Sequence, residues 1–273
     1  MSTASAVRAR TRWTAALGRK PLFYAVTAAF LAFLLFALNE PMRFAYLAWT
    51  PGYEVFTHRV HHVMIGGLLT LLVVSIALQL YRPAERIGAY LFAAVAVASL
   101  LVVSVIGEGA SALAELAIFA IPLVIIGLLH PGLRSFRPSR ETLDARMLAL
   151  GAVAAVPLIA FAALQMNLHM TLADDHVVFE HYLMMAGGAL TIGLGAIVAS
   201  FRPVGWRALV YAVAILVAFV GVASAMFPDP VQGVNFGVIG GSLAVLWAIC
   251  FVAVAEYGVR ARSLETEDGA STV

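Results

Sequence analysis

The chain has 273 residues, 62% of them hydrophobic and only 12% charged, about half the charged content of an ordinary soluble domain. Its net charge of +2 comes from arginines spread over short loops and tails, which excludes the massed basic surface of a nucleic-acid-binding protein. The single cysteine, Cys250, lies inside an apolar run, so neither an intrachain disulfide nor a cysteine-based metal site is available.

Apolar runs long enough to cross a hydrocarbon core of about 30 Å recur along the whole length. In chain order we read eight spans, at 21–38, 62–81, 87–106, 112–129, 147–166, 182–201, 206–227 and 236–256. Breaker chemistry marks their ends: Asn39-Glu40-Pro41, Arg82-Pro83, Gly107-Glu108-Gly109, His130-Pro131-Gly132, Arg202-Pro203 and Pro228-Asp229-Pro230. The expected fold is all-α, a polytopic membrane bundle of eight transmembrane helices. The first run has the basic leader of a signal peptide, but it has a counterpart later in the chain and is kept as a span. The short polar tails, up to Arg12 and from Ser263, read as disordered.

Charge sets the orientation. Arg8, Arg10, Arg12, Arg19 and Lys20 precede the first span, and Arg260 and Arg262 follow the last. Arg82, Arg86, Arg134, Arg137, Arg140, Arg146, Arg202 and Arg207 fill the alternate loops, leaving only Arg43 and Arg59 opposite. The positive-inside bias then makes both termini cytoplasmic in a multi-pass protein of the plasma membrane. No lysine lies within a span, which excludes a retinal Schiff base.

Val55-Phe56-Thr57-His58, Gly66-Gly67 and Tyr81-Arg82-Pro83 recur in order as Val178-Phe179-Glu180-His181, Gly187-Gly188 and Phe201-Arg202-Pro203. This pattern divides the chain into a tail (1–20), a first four-helix half (21–130), a linker (131–146), a second half (147–257) and a tail (258–273). Halves with an even number of spans would be parallel repeats about an axis along the membrane normal.

Six of the seven histidines fall on the outer side: His58, His61, His62, His169, His176 and His181, with His130 opposite. Glu54, Glu108, Asp174, Asp175, Glu180 and Asp229 accompany them. Glu54, His58 and His62 are spaced i, i+4, i+8, which aligns them on one face if the second span begins early as a helix. Neutral imidazole is the commonest protein metal ligand, and a neighbouring carboxylate can orient it. Met166, Met170, Met184 and Met185 lie close by in sequence; a supply of imidazole and thioether suits copper, and imidazoles from two helices suit haem iron. Each of these residues taken singly reads more simply as a wetted interfacial group, and His130 as a helix-end histidine. Glu115 is the one acid placed inside a span, and with Glu108 it reads as part of a polar vestibule or transport path, joined by Asn39, Gln165 and Asn167. The paired glycines read as close helix contacts.

Two family resemblances arise at these residues. The stretch from Phe56 to Met64, with histidines four apart at His58 and His62, resembles a helix of the membrane copper-loading assembly factors of cytochrome oxidase. Glu180-His181-Tyr182-Leu183 with Ala186-Gly187 resembles a later helix of that family. The resemblance implies His58, His62 and His181 as copper ligands and a respiratory oxidase or similar membrane complex as partner; the family has seven spans rather than eight. The four-plus-four layout, with Glu54 ahead of His58-Arg59, is similar to haem A synthase, although that family's histidines in the fourth and eighth spans and its external cysteine pair are absent.

The resulting expectation is a membrane metal- or haem-binding protein with an outer site, assisting respiratory-complex assembly. Its metal ligands are His58, His62, His176 and His181, with Glu54 and Glu180 orienting them, and its cofactor is copper or haem, the latter held by His58 and His181. Copper handling requires capture and release rather than catalysis, and no catalytic residue is assigned. Two further readings stay open: a small cation- or proton-coupled transporter using Glu108, Glu115 and the histidines, and a non-catalytic partner subunit.

Overall fold

Every regular element among the described residues is helical. In the computed structural model the chain is described over residues 3–53, 58–133, 138–229 and 234–270, with side chains described between 19 and 257. The elements are α1 (Thr3–Ala37), α2 (Asn39–Leu47), α3 (Arg59–Ala77), α4 (Ile87–Glu108), α5 (Ser111–Leu129), α6 (Ala145–Thr171), α7 (Asp175–Val178), α8 (His181–Ser200), α9 (Trp206–Met226) and α10 (Gly237–Ala270). A 3-10 turn, Leu78–Leu80, extends α3, and another, Pro83–Glu85, precedes α4.

Eight of these helices are long and apolar enough to cross a membrane, so the protein is an all-α polytopic membrane bundle. Three details differ from the sequence expectation. The short helices α2 and α7 occupy segments read as loops. The fifth span continues to Thr171, because Gln165 to Met170 contains neither proline nor glycine and is rich in good helix formers. The tails are drawn into helix, since α1 begins at Thr3 and α10 runs to Ala270.

The helices sort into an inner and an outer set. Buried shares of the spanning windows are 67%, 56%, 72% and 61% for α3, α4, α8 and α9, but 22% for each of α1, α5, α6 and α10. The inner four pack on one another, with α6 and α10 laid on α8 and α9 and with α1, α2 and α5 laid on α3 and α4. The outer helices turn large apolar side chains outward, including Phe36, Leu128, Val156 and Ile239, as lipid contact requires.

The two ends of the bundle differ chemically. His58 and His181 lie at the starts of α3 and α8. Arg82 and Arg202 follow the same two helices, both in the left-handed region at φ 49° and 47°. Buried Arg202 donates from Nη2 to Asp144 Oδ2 at 2.8 Å and to the Ala255 carbonyl at 2.9 Å. Asp144 also caps α6, its Oδ1 accepting the amides of Arg146 and Met147. At this end His130 is also buried: its Nε2 faces Gln79 Oε1 at 3.0 Å and its Nδ1 accepts the Gly132 amide.

At the histidine end, α2 lies directly on α3. A Cβ added at Gly66 would stand 2.1 Å from the Ala45 nitrogen, so only glycine permits this approach. The contact carries Phe44 over the His62 ring.

Candidate metal centre

Four imidazoles converge from three elements. His58 is the N-cap residue of α3, His61 sits in its first turn, His176 belongs to α7, and His181 opens α8. One ring nitrogen from each of His58, His61, His176 and His181 lies within 4.8 Å of the others. His58 Nδ1 and His176 Nε2 are 2.7 Å apart. His61 is fully buried, and neither of its ring nitrogens has a hydrogen-bond partner; the same holds for Nδ1 of buried His181. A buried, unpaired polar atom costs about 1–3 kcal/mol, so three such nitrogens in one cluster call for a partner that the described side chains do not supply.

His62, expected among the ligands, stands beside this group. The Tyr53 hydroxyl hydrogen-bonds its Nδ1, Phe44 stacks on its ring at 4.1 Å, and its Nε2 lies 3.3 Å from His181 Nε2. Arg59 holds the surrounding chain in place: it is buried, donates to the Ala48 carbonyl at 2.6 Å, and lies over the Phe227 ring. The expected common face of Glu54, His58 and His62 needs a helix starting before residue 58. Instead α3 begins at Arg59, and Glu54 lies outside the described residues.

Asp174 sets a carboxylate beside one of these rings. Its Oδ2 accepts the Tyr182 hydroxyl at 3.0 Å and lies 3.4 Å from His176 Nδ1, while its Oδ1 accepts the Val177 amide. Against the upward push of burial, the Tyr182 hydroxyl, the Val177 amide and His176 together hold the Asp174 carboxyl below its usual range. With Nδ1 of His176 facing this carboxylate, the Nε2 lone pair is directed at His58, the arrangement that fixes a metal-binding tautomer. Burial, reinforced by His176, depresses the basicity of His58 against the opposing pull of Asp175 and Asp174. His58 is thereby kept in the neutral form that can donate a lone pair.

The acids fall elsewhere. Carboxylate oxygens of Glu108, Glu115 and Glu180 lie within 4.8 Å of one another, and His169 Nε2 is 3.8 Å from Glu108. Burial, then the charges of Glu108 and Glu115, push the Glu180 carboxyl upward. Glu180 also lines a cavity of about 800 Å³ with His58, His62, His181, Arg43 and Tyr53, closed on its apolar side by Ile65, Leu69 and Met184. Of the four nearby methionines only Met184 lines it; Met166 and Met185 are buried in the core and Met170 is exposed. Gln165 is buried, while Asn39 and Asn167 are exposed.

His61 and Asp174 carry weight that sequence reasoning did not assign. The run His61-His62 leaves two adjacent rings to choose between, and Asp174 reaches His176 only because α7 folds the intervening residues into a turn. A capping signal was legible, since Asp174 precedes α7 with its side chain on the Val177 amide.

Comparison of the chain with protein-family models, with curated proteins and with solved structures finds no match. What stands is a membrane-helical protein with clustered histidines and acids able to hold a metal ion.

Proposed function

We propose that this protein binds a transition-metal ion at the outer face of the membrane through His58, His61, His176 and His181. The observation that carries the reading is the convergence of four imidazoles around His61, whose two buried nitrogens have no hydrogen-bond partner. An all-imidazole set suits Cu2+, Zn2+ or Ni2+. The likeness of the His58 and His181 segments to copper-loading assembly factors makes copper the first metal to test, and delivery to a membrane oxidase the role to test after it. Matched positions of His58 with His181, and of Arg82 with Arg202, support two parallel halves. Cytoplasmic termini would place the centre outside the plasma membrane.

The test is elemental analysis of the full-length protein in detergent after loading with Cu2+ or Zn2+ and desalting. Near-stoichiometric metal that disappears in the double variant His58→Ala, His181→Ala supports the proposal; unchanged metal content in that variant sinks it. One observation favours a second reading, haem binding: the 800 Å³ cavity is lined by three histidines, apolar side chains and Arg43. A Soret band in the same preparation, lost with His181, would transfer the assignment to haem. Metal-dependent or proton-dependent flux into proteoliposomes would instead establish transport.

A further inference from the structure

At the end of the bundle opposite the imidazole centre, two Arg-Pro turns share a backbone conformation but meet opposite surroundings. Arg82-Pro83 follows α3 and Arg202-Pro203 follows α8, with both arginines in the left-handed region. The guanidinium of Arg202 is only 7% exposed and meets Asp144, the residue that caps α6, at 2.8 Å. Beside Arg82 the start of the α1 span instead supplies Arg19 and Lys20, which share a cavity with it. Cations thus gather around one arginine where the other is given a carboxylate.

The cavity measures about 400 Å³ and is bounded by the start of the α1 span, the turn 82–85 and the end of α5, a volume within the range of about 300–1,000 Å³ of ligand sites. Its three cations face one carboxylate, Glu85, which lies 3.6 Å from Arg82. Among the described residues, Arg19 and Lys20 enter no ion pair. His130 forms floor and not ligand, because Gln79 and the Gly132 amide already engage its ring nitrogens. Glycine sets the back wall: a Cβ at Gly132 would stand 2.8 Å from the Ala84 Cα, so the chain leaving α5 closes directly on the turn that carries Arg82.

Two chemistries select the occupant. Guanidinium and ammonium groups bind phosphate, and basic pockets between membrane helices take anionic headgroups. The α5 side is apolar and faces outward, since Leu128 lines the cavity and is 73% exposed. Depth agrees, because the spans Arg19–Ala37 and Ser111–Leu129 both reach their ends here, at the level where a phospholipid carries its phosphate. A free phosphate would match the cations and leave the apolar wall unused. A zwitterionic lipid would bring its own ammonium against three like charges.

We infer that this cavity binds the headgroup of one anionic phospholipid, with Arg19, Lys20 and Arg82 around the phosphate and the acyl chains along Leu128. The inference does not rest on the metal centre, which lies at the other end of the bundle.

The test is native mass spectrometry of delipidated full-length protein in detergent, titrated with dioleoyl phosphatidylglycerol or dioleoyl phosphatidylethanolamine. The two lipids share acyl chains and differ in net charge. Wild type should bind one phosphatidylglycerol about tenfold or more tightly than phosphatidylethanolamine. Arg19→Gln, Lys20→Gln should abolish that preference, whereas Arg140→Gln, at an exposed arginine outside the cavity, should retain it. Equimolar inorganic phosphate should not displace the lipid. Equal affinity of wild type for the two lipids would overturn the inference, a readout that holds even if a variant fails to fold. So would an undiminished preference in the Arg19, Lys20 variant, or its loss in Arg140→Gln. Displacement by inorganic phosphate would make the cavity a free-anion site and overturn the lipid assignment.

Discussion

Replacing His61 with leucine separates a ligand from a packing residue. In the metal-free protein, the His61 ring presents one N–H and one lone pair to a fully buried site without partners. At about 1–3 kcal/mol per unsatisfied group, this costs roughly 2–6 kcal/mol. Leucine restores about 1.5–3 kcal/mol of apolar burial, offset by about 1–3 kcal/mol of misfit in a closely packed position. The metal-free His61→Leu protein should therefore be more stable than wild type by about 4 kcal/mol. Metal narrows the gap. At an ion concentration of about one hundred times Kd, wild type gains about 2.7 kcal/mol, whereas the variant gains little. Thermal unfolding in detergent, followed by circular dichroism with chelator and then with Zn2+, reads both quantities. If His61→Leu destabilises the metal-free protein by the several kcal/mol of an ordinary core truncation, or keeps the full Zn2+ shift, His61 is a packing residue and the reasoning fails.

Asp174→Asn removes the charge that orients His176 while keeping most of the side chain's shape. Metal affinity should fall by about 10- to 100-fold, with the helical content by circular dichroism unchanged. At the opposite end, burial lowers the His130 pKa to about 4. Because its folded value is depressed, stability present above the unfolded value of about 6.5 is lost as pH falls toward 4, by about 3 kcal/mol. His130→Gln should remove that share of the pH dependence, leaving the part due to His58, without altering metal uptake. Asp144→Ala removes two α6 cap bonds and strands buried Arg202, costing about 4 kcal/mol. The Asp144 carboxyl is lowered despite burial, by Arg202 and the Met147 and Arg146 amides. In wild type its contribution is therefore present above about pH 4 and lost as pH falls through the depressed value. A denaturation midpoint unmoved by Asp144→Ala would show that the pair contributes nothing.

The eight membrane helices were legible from sequence because their cause is local. Hydrocarbon thickness sets a minimum apolar length, and backbone groups in lipid must bond within their own segment. Breakers such as Arg82-Pro83 and Gly109 then mark ends that the helices respect to within a few residues. Much of the candidate site was legible as well: His58, His176 and His181 were singled out and come together. The remainder depended on tertiary packing. His61 and His62 are neighbours in sequence, but successive helical residues point about 100° apart, and only the placement of α7, α8 and α2 turns His61 into the cluster and His62 toward Tyr53 and Phe44. Asp174 reaches His176 through the short turn of α7, and Glu180 meets Glu108 and Glu115 across the bundle. Composition and spacing determined that the chain crosses the membrane as helices with six of its seven histidines gathered at one end. The contacts between helices decided which imidazoles face one another, because close approaches such as that of α2 at Gly66 set distances that no local pattern encodes.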